Sequence, residues 1–143
     1  TSAAARPSNV QMLFSKNDPM ANEKFPDDYK GRVRASHILK KGEDDLDEIM
    51  RVMMELGRRV EEEEGNVPQI FAELARRESE CSSASKGGSL GWFAPKKMVP
   101  EFDKAIFPDN MTIAPKANTI VGPIITQFGC HIVYIAERSS TPM

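Results

Sequence analysis

His37, His131, Cys81 and Cys130 are the only histidines and cysteines in the 143-residue chain, and their settings limit the chemistry open to them. A thiol nucleophile would pair Cys81 with His131 and would need an orienting third group. No cysteine-protease signature surrounds Cys81 in "ECSSASKGGSLGWF", residues 80–93. A metal site needs ligands at ligand spacing. Cys130 and His131 are adjacent in a strand-like run and point to opposite faces, and neither C-x₂-C nor H-x₃₋₅-H spacing occurs. A structural disulfide is not expected, because nothing else in the chain marks a disulfide scaffold and a reducing compartment suits it better. Both histidines sit mid-strand among apolar neighbours. A single such residue is ordinarily a buried histidine satisfied locally, but two on neighbouring strands can share a proton against a concave face.

The elements that must carry these groups follow from periodicity. "RVRASHILK" alternates, with Val33, Ala35, His37 and Leu39 on one face and Arg34, Ser36 and Ile38 on the other, which predicts a strand. "DDLDEIMRVMMELGRRVEEEEG" places Leu46, Ile49, Met50, Met53, Leu56 and Val60 at steps of three and four. That predicts an amphipathic helix with Asp44 and Asp45 at its N-terminus and Gly65 as its stop. "NVPQIFAELARRESE" predicts a second helix, Pro68 in its first turn and Ile70, Phe71, Leu74 and Ala75 inward. "VPEFDKAIF" predicts a short third helix behind Pro100, followed by a loop over 108–121. "GPIITQFGCHIVYIAER" predicts two strands about a Gln127–Gly129 turn, with His131, Val133 and Ile135 facing away from Cys130, Ile132 and Tyr134. A first and last strand enclosing helices is an α+β arrangement.

Composition adds exclusions. Hydrophobic residues make up 40% and charged residues 28%, as in an ordinary globular protein. The 19 basic and 21 acidic residues nearly balance, so no global charge draws the chain to nucleic acid or anionic lipid. No apolar run approaches the roughly 20 residues of a membrane span. Gly87, Gly88 and Gly91 serve backbone conformation, since no nucleotide-motif spacing surrounds them, and Trp92 is expected in the core. Residues 1–31 hold Pro7, Pro19 and Pro26 and read as a flexible extension or linker, which Phe14, Phe25 and Tyr29 can anchor. The opening "TSAAARPSNVQMLF" has neither initiator Met nor signal h-region, and the expectation is a processed or excised start of a longer parent. The folded unit is expected over 32–138, with a tail at 139–143.

Four ordered blocks carry a family resemblance: "SHIL" at 36–39, "ECSSASKGGSLGWF" at 80–93, "MVPEFDKAIF" at 98–107 and "GPIITQFGCHIV" at 122–133. Together they resemble a parvulin-type peptidyl-prolyl cis/trans isomerase. The resemblance implies an α+β fold with a four-stranded antiparallel sheet surrounded by about four helices. It implies rotation about Xaa–Pro bonds without cofactor, metal or covalent product. His37 and His131 match the family's paired histidines, Cys81 its central polar position (Cys in some members, Asp in others) and Thr126 a hydroxyl bonded into the pair. Leu90, Met98 and Phe102 match the walls of the proline pocket, and Phe128 the aromatic residue that completes it. The implied partners are proline-containing segments of client proteins, met by a monomer in the cytoplasm or nucleus, with no nucleic acid or membrane involved.

Such catalysis needs no nucleophile. Amide resonance sets a barrier of about 18–20 kcal/mol, and bringing exchange to roughly 10 ms takes about 5–6 kcal/mol of differential transition-state binding. Four departures from the family pattern bear on specificity. The segment after the first strand, "KKGEDDLDE", has Lys40 and Lys41 but no arginine cluster, and Asp44, Asp45, Asp47 and Glu48 follow, which disfavours a phosphorylated residue before proline. One tryptophan cannot supply a WW companion domain. Lys96 stands where many parvulins have glycine, and the loop 108–121 is long. The alternative to an active isomerase is a parvulin-fold module that binds Pro-containing segments without turnover.

Overall fold

The computed structural model describes residues 31–63 and 66–139. The alternating run becomes β1 (Arg32–Lys40), followed by α1 (Asp45–Glu62), α2 (Val67–Glu78), β2 (Ser89–Phe93), α3 (Pro100–Ile106), β3 (Thr119–Thr126) and β4 (Gly129–Ser139). Single turns of 3₁₀ helix occupy Ser82–Lys86 and Met111–Ile113. The strands form one sheet in the order β2-β1-β4-β3, every neighbouring pair antiparallel. The described residues therefore carry the expected sheet, with three α-helices in place of about four.

The sheet separates two apolar layers, as the period of two along β1 and β4 requires. Val33, Ala35, Leu39, Val133 and Ile135 join Phe93, Phe102 and Phe107 on one side. Ile38, Cys130, Ile132 and Tyr134 meet α1 and α2 on the other. α2 buries Ile70, Phe71, Leu74 and Ala75 as its spacing predicts, with Pro68 in its first turn.

α1 departs from its predicted stripe. Ile49, Val52 and Leu56 are its buried residues, whereas Leu46 and Met50 remain 42% and 44% exposed. The helix is rotated so that the stiff β-branched Ile49 and Val52 face the sheet, while Met50 and Met54 lie outward and Met53 packs at the edge of the core. β2 is the strand that alternation did not reveal; it is five residues long and contains Gly91 at φ +69°. Trp92, expected in the core, lies half-buried on β2 opposite Arg34. The end of the predicted loop 108–121 is strand, since β3 begins at Thr119. The proposed anchors Phe14, Phe25 and Tyr29, the helix stop Gly65 and residues 140–143 fall outside the described residues.

Among the described residues no helix is long and apolar enough to cross a membrane. Nor, among them, are three or more His, Cys, Asp or Glu side chains placed to hold a metal ion. Cys81 and Cys130 are both free, and they lie in the two different layers.

Candidate active site

β1 and β4 bring the two histidines together through register. His37 lies opposite Val133 and His131 opposite Leu39, so the histidines are diagonal neighbours on one face of the sheet. Such diagonals are about 7–8 Å apart at the backbone, within reach of ring side chains. Both residues are fully buried, their rings stack with centroids 5.3 Å apart, and Nδ1 faces Nδ1 at 3.1 Å. Only one of those two nitrogens can carry a hydrogen while the pair is neutral.

The chain of contacts continues from His131 Nε2 to Thr126 Oγ1 at 2.8 Å. Thr126 Oγ1 accepts the Phe128 N–H at 3.1 Å and reaches the Gly129 carbonyl at 3.5 Å. Two hydrogen patterns satisfy this geometry. In one, His37 Nδ1–H donates to His131, whose Nε2–H donates to Thr126. In the other every donor reverses, the Thr126 hydroxyl donates to His131 and the hydrogen of His37 resides on Nε2. The two patterns carry the same net charge and differ in which ring nitrogens hold the hydrogens. His37 Nε2 is buried and has no hydrogen-bond partner, so it is the open end. Burial first, and the neighbouring His131 second, push the His37 pKa well below its ordinary value.

Phe102 sits edge-on to both imidazoles, with ring centroids 6.0 Å from His37 and 5.5 Å from His131. It is fully buried at the start of α3, which Pro100 opens. Leu90, Met98, Phe102, Phe128 and Cys81 belong to one apolar cluster, and Leu90 is the least covered of the five at 9% exposure. All eight residues singled out from the sequence are thus buried on one side of the sheet: His37, Cys81, Leu90, Met98, Phe102, Thr126, Phe128 and His131.

Cys81 is held there by a strap that takes over where β2 stops pairing with β1. Leu39 N–H donates to Ser79 Oγ at 3.0 Å, Glu80 N–H donates to the Leu39 carbonyl at 2.8 Å, and His37 N–H donates to the Gly88 carbonyl at 2.9 Å. The Ser79 hydroxyl was not singled out from the sequence; its position at the end of α2, two residues before Cys81, is the signal that marks it.

Beside the site, Lys40 is 9% exposed and its ammonium lies 3.1 Å from Glu78. Glu78 also receives Arg51 at 2.8 Å and Arg77 at 2.9 Å. Arg51 above all, with Lys40 and Arg77, outweighs burial and brings the Glu78 carboxyl down to about 2. Lys96, the residue in the place of a glycine, adopts φ +69°, and its N–H donates to Asp103 of α3.

Comparison with known proteins bears directly on this arrangement. A family model described as "Rotamase: PPIC-type PPIASE domain" matches residues 37–137. Over 117 residues the chain is 33% identical to the foldase protein PrsA of Geobacillus kaustophilus, a match covering 81% of this chain and 35% of that protein. Over 71 residues it is 42% identical to the chaperone SurA of Cupriavidus metallidurans, covering 50% of this chain and 13% of that one. Among solved structures, PrsA from Bacillus anthracis superposes with a TM-score of 0.57 at 31% identity, covering 79% of this chain and 44% of the other. The peptidyl-prolyl isomerase ESS1 from Candida albicans superposes with a TM-score of 0.54 at 27% identity, covering 79% and 66%. The match spans about a third of the PrsA length.

Proposed function

The chain belongs to the PPIC-type peptidyl-prolyl isomerase (parvulin) family, and on that premise we propose that it accelerates rotation about Xaa–Pro bonds in protein clients. The observation that carries the reading is the buried His37–His131 pair, joined Nδ1 to Nδ1 at 3.1 Å and braced by the edge of Phe102. The foldase and chaperone relatives support protein chains as the substrate class.

The proline ring packs against Leu90, Met98, Phe102 and Phe128. Burial there removes the water that favours the planar, charge-separated amide. As the amide twists, its carbonyl and nitrogen lose conjugation. His37 Nε2 carries a lone pair in one hydrogen pattern and a hydrogen in the other, so the chain can present an acceptor or a donor to the amide without creating a buried charge. No covalent bond is made or broken, so the thiol of Cys81 serves by position and polarity.

The reading extends to selectivity. Lys40 is already committed to Glu78, and Asp44, Asp45, Asp47 and Glu48 follow in the next segment, so the stretch 40–48 offers no arginine cluster to a phosphate. The expected substrate is an unmodified Xaa–Pro segment.

Exchange spectroscopy on short Ala–Pro and Leu–Pro peptides tests both points. Catalysed exchange that disappears in His37→Ala supports the isomerase. Saturable binding without faster exchange would make the chain a binding module for Pro-containing segments. A tenfold or greater advantage for pSer–Pro or Glu–Pro peptides would overturn the selectivity.

A further inference from the structure

Each of the two imidazoles is backed by a glycine that touches its main chain. Gly88, at φ +81°, lies so close to β1 that a Cβ built on it would stand 2.3 Å from the His37 carbonyl oxygen and 3.3 Å from the His37 carbonyl carbon. The Gly88 carbonyl accepts the His37 N–H at 2.9 Å, so the two main chains are held in direct contact. Gly122, at φ +147°, lies on β3, where a Cβ would stand 2.9 Å from the His131 carbonyl oxygen and 3.1 Å from Ile132 Cα. Real Cβ atoms do not approach backbone atoms at 2.3 Å, and backbone in a sheet cannot swing aside as a flexible side chain can. A methyl at either position must displace the histidine's own peptide.

Both contacts fall beside irregularities in the sheet. The β1–β2 register shifts between Ala35 and Ser36, just before His37, and the β3–β4 register shifts between Val121 and Ile124, the interval that contains Gly122. Irregularities of this kind re-aim the side chains next to them. Here they bring the chain against the peptides of the two residues whose rings must meet.

We propose that Gly88 and Gly122 are positioning residues for the isomerase reaction, one for each imidazole: their missing side chains let β1 and β4 hold His37 and His131 at the separation the shared hydrogen requires. The proposal rests on the isomerase reading for its kinetic consequence and on geometry alone for its spectroscopic one. A hydrogen bond at 3.1 Å has little slack, because a displacement of about half an ångström takes it outside hydrogen-bond range. Turnover depends on the pair, whereas affinity for the proline ring depends on Leu90, Met98 and Phe128, which neither glycine is shown to touch.

Two other glycines supply matched controls. Gly87, at φ +67°, would place its Cβ 2.8 Å from Ala72 Cβ on α2, and Gly91, at φ +69°, would meet nothing within 4 Å. Alanine at either is strained in the backbone yet touches no histidine. The experiment compares Gly88→Ala, Gly122→Ala, Gly87→Ala and Gly91→Ala in the full chain, reading imidazole ¹⁵N–¹H correlations, the thermal midpoint and kcat against KM on an Ala–Pro peptide. The expected result is a changed tautomer pattern at His37 for Gly88→Ala and at His131 for Gly122→Ala. Each should lower kcat at least tenfold with KM within about threefold. The controls should keep the parental imidazole pattern whatever thermal stability they lose.

Folded Gly88→Ala and Gly122→Ala with parental imidazole spectra would overturn the proposal, whatever their activity. A changed spectrum with unchanged kcat would uphold the positioning role and sink the catalytic reading of the pair instead. Should Gly88→Ala fail to fold, Gly122→Ala carries the same test at the other ring. Collapse of both while Gly87→Ala and Gly91→Ala stay folded would assign the two glycines to folding and reject the proposal.

Discussion

His37 and His131 meet Nδ1 to Nδ1 at 3.1 Å although neither is the other's partner in the ladder; His37 pairs with Val133 and His131 with Leu39. The hydrogen between them therefore depends on ring orientation across a diagonal, and every group that sets that orientation becomes testable.

Acid should weaken the fold through His37 before it affects the carboxylates. Burial holds the folded-state pKa of His37 below its ordinary value of 6.5. The unfolded chain then binds a proton that the native state refuses, so stability is complete above about pH 6.5 and declines as the pH falls below it. The slope attributable to this residue is at most about 1.4 kcal/mol per pH unit. Urea midpoints between pH 7 and 5 should fall in the parent and flatten in His37→Leu, while the parent's His37 ring should protonate only at a lower pH than a free imidazole by NMR.

Glu78→Gln should remove a second, more acidic dependence. With its folded value near 2 and its ordinary value at 4.5, Glu78 stabilises fully above pH 4.5, and the contribution is lost as the pH falls toward 2. The partners are partly solvent-screened, so the effect is on the order of 1 kcal/mol. Denaturation of parent and variant should converge by pH 2 and differ at pH 6; equal stability at pH 6 would remove Glu78 from the account.

Phe102→Leu should separate bracing from packing. Truncation to alanine at this fully buried site would cost about 3–5 kcal/mol, a large part of a small domain's stability. Leucine keeps most of the volume and should cost about 1–1.5 kcal/mol. Loss of the ring edge from both imidazoles should still lower kcat/KM about tenfold, and unchanged turnover would free Phe102 of any role beyond packing.

Cys81→Asp should retain isomerisation within about tenfold of the parent while lowering the thermal midpoint. Cys81 is 4% exposed in an apolar cluster, where a carboxyl must be neutralised or paired. Complete loss of exchange catalysis in a folded variant would restore a thiol-specific function.

Lys96→Gly should stabilise. A side chain at φ +69° costs about 1 kcal/mol relative to glycine, part of which is offset by the greater freedom of glycine in the unfolded chain. A gain of about 0.5 kcal/mol in the urea extrapolation is expected, provided the N–H bond to Asp103 persists.

Much of this architecture was legible because β1 and β4 alternate with a period of two and α2 and α3 each carry an apolar face. α1 was read with the wrong edge of its stripe. Leu46 and Met50 are as hydrophobic as Ile49 and Val52, and only the sheet decides which pair it accepts. β2 was invisible to alternation because Gly91, in a left-handed conformation, breaks the period between Leu90 and Phe93, which share a cluster despite odd spacing. The eight residues that the structure buries together on one side of the sheet all lie within the four ordered motifs. The diagonal register, the Ser79 strap and the glycine contacts were not, since each depends on which strand residue faces which.

The sheet also keeps one thiol on each side, Cys81 among the phenylalanines and Cys130 beneath α1 and α2. Burial pushes the Cys130 thiol up to about 11. The molecule thus carries its own pair of unfolding gauges. Alkylation at Cys81 alone would signal opening of the phenylalanine-rich half, alkylation at Cys130 alone detachment of the two long helices, and simultaneous labelling of both the loss of the sheet as a single cooperative unit.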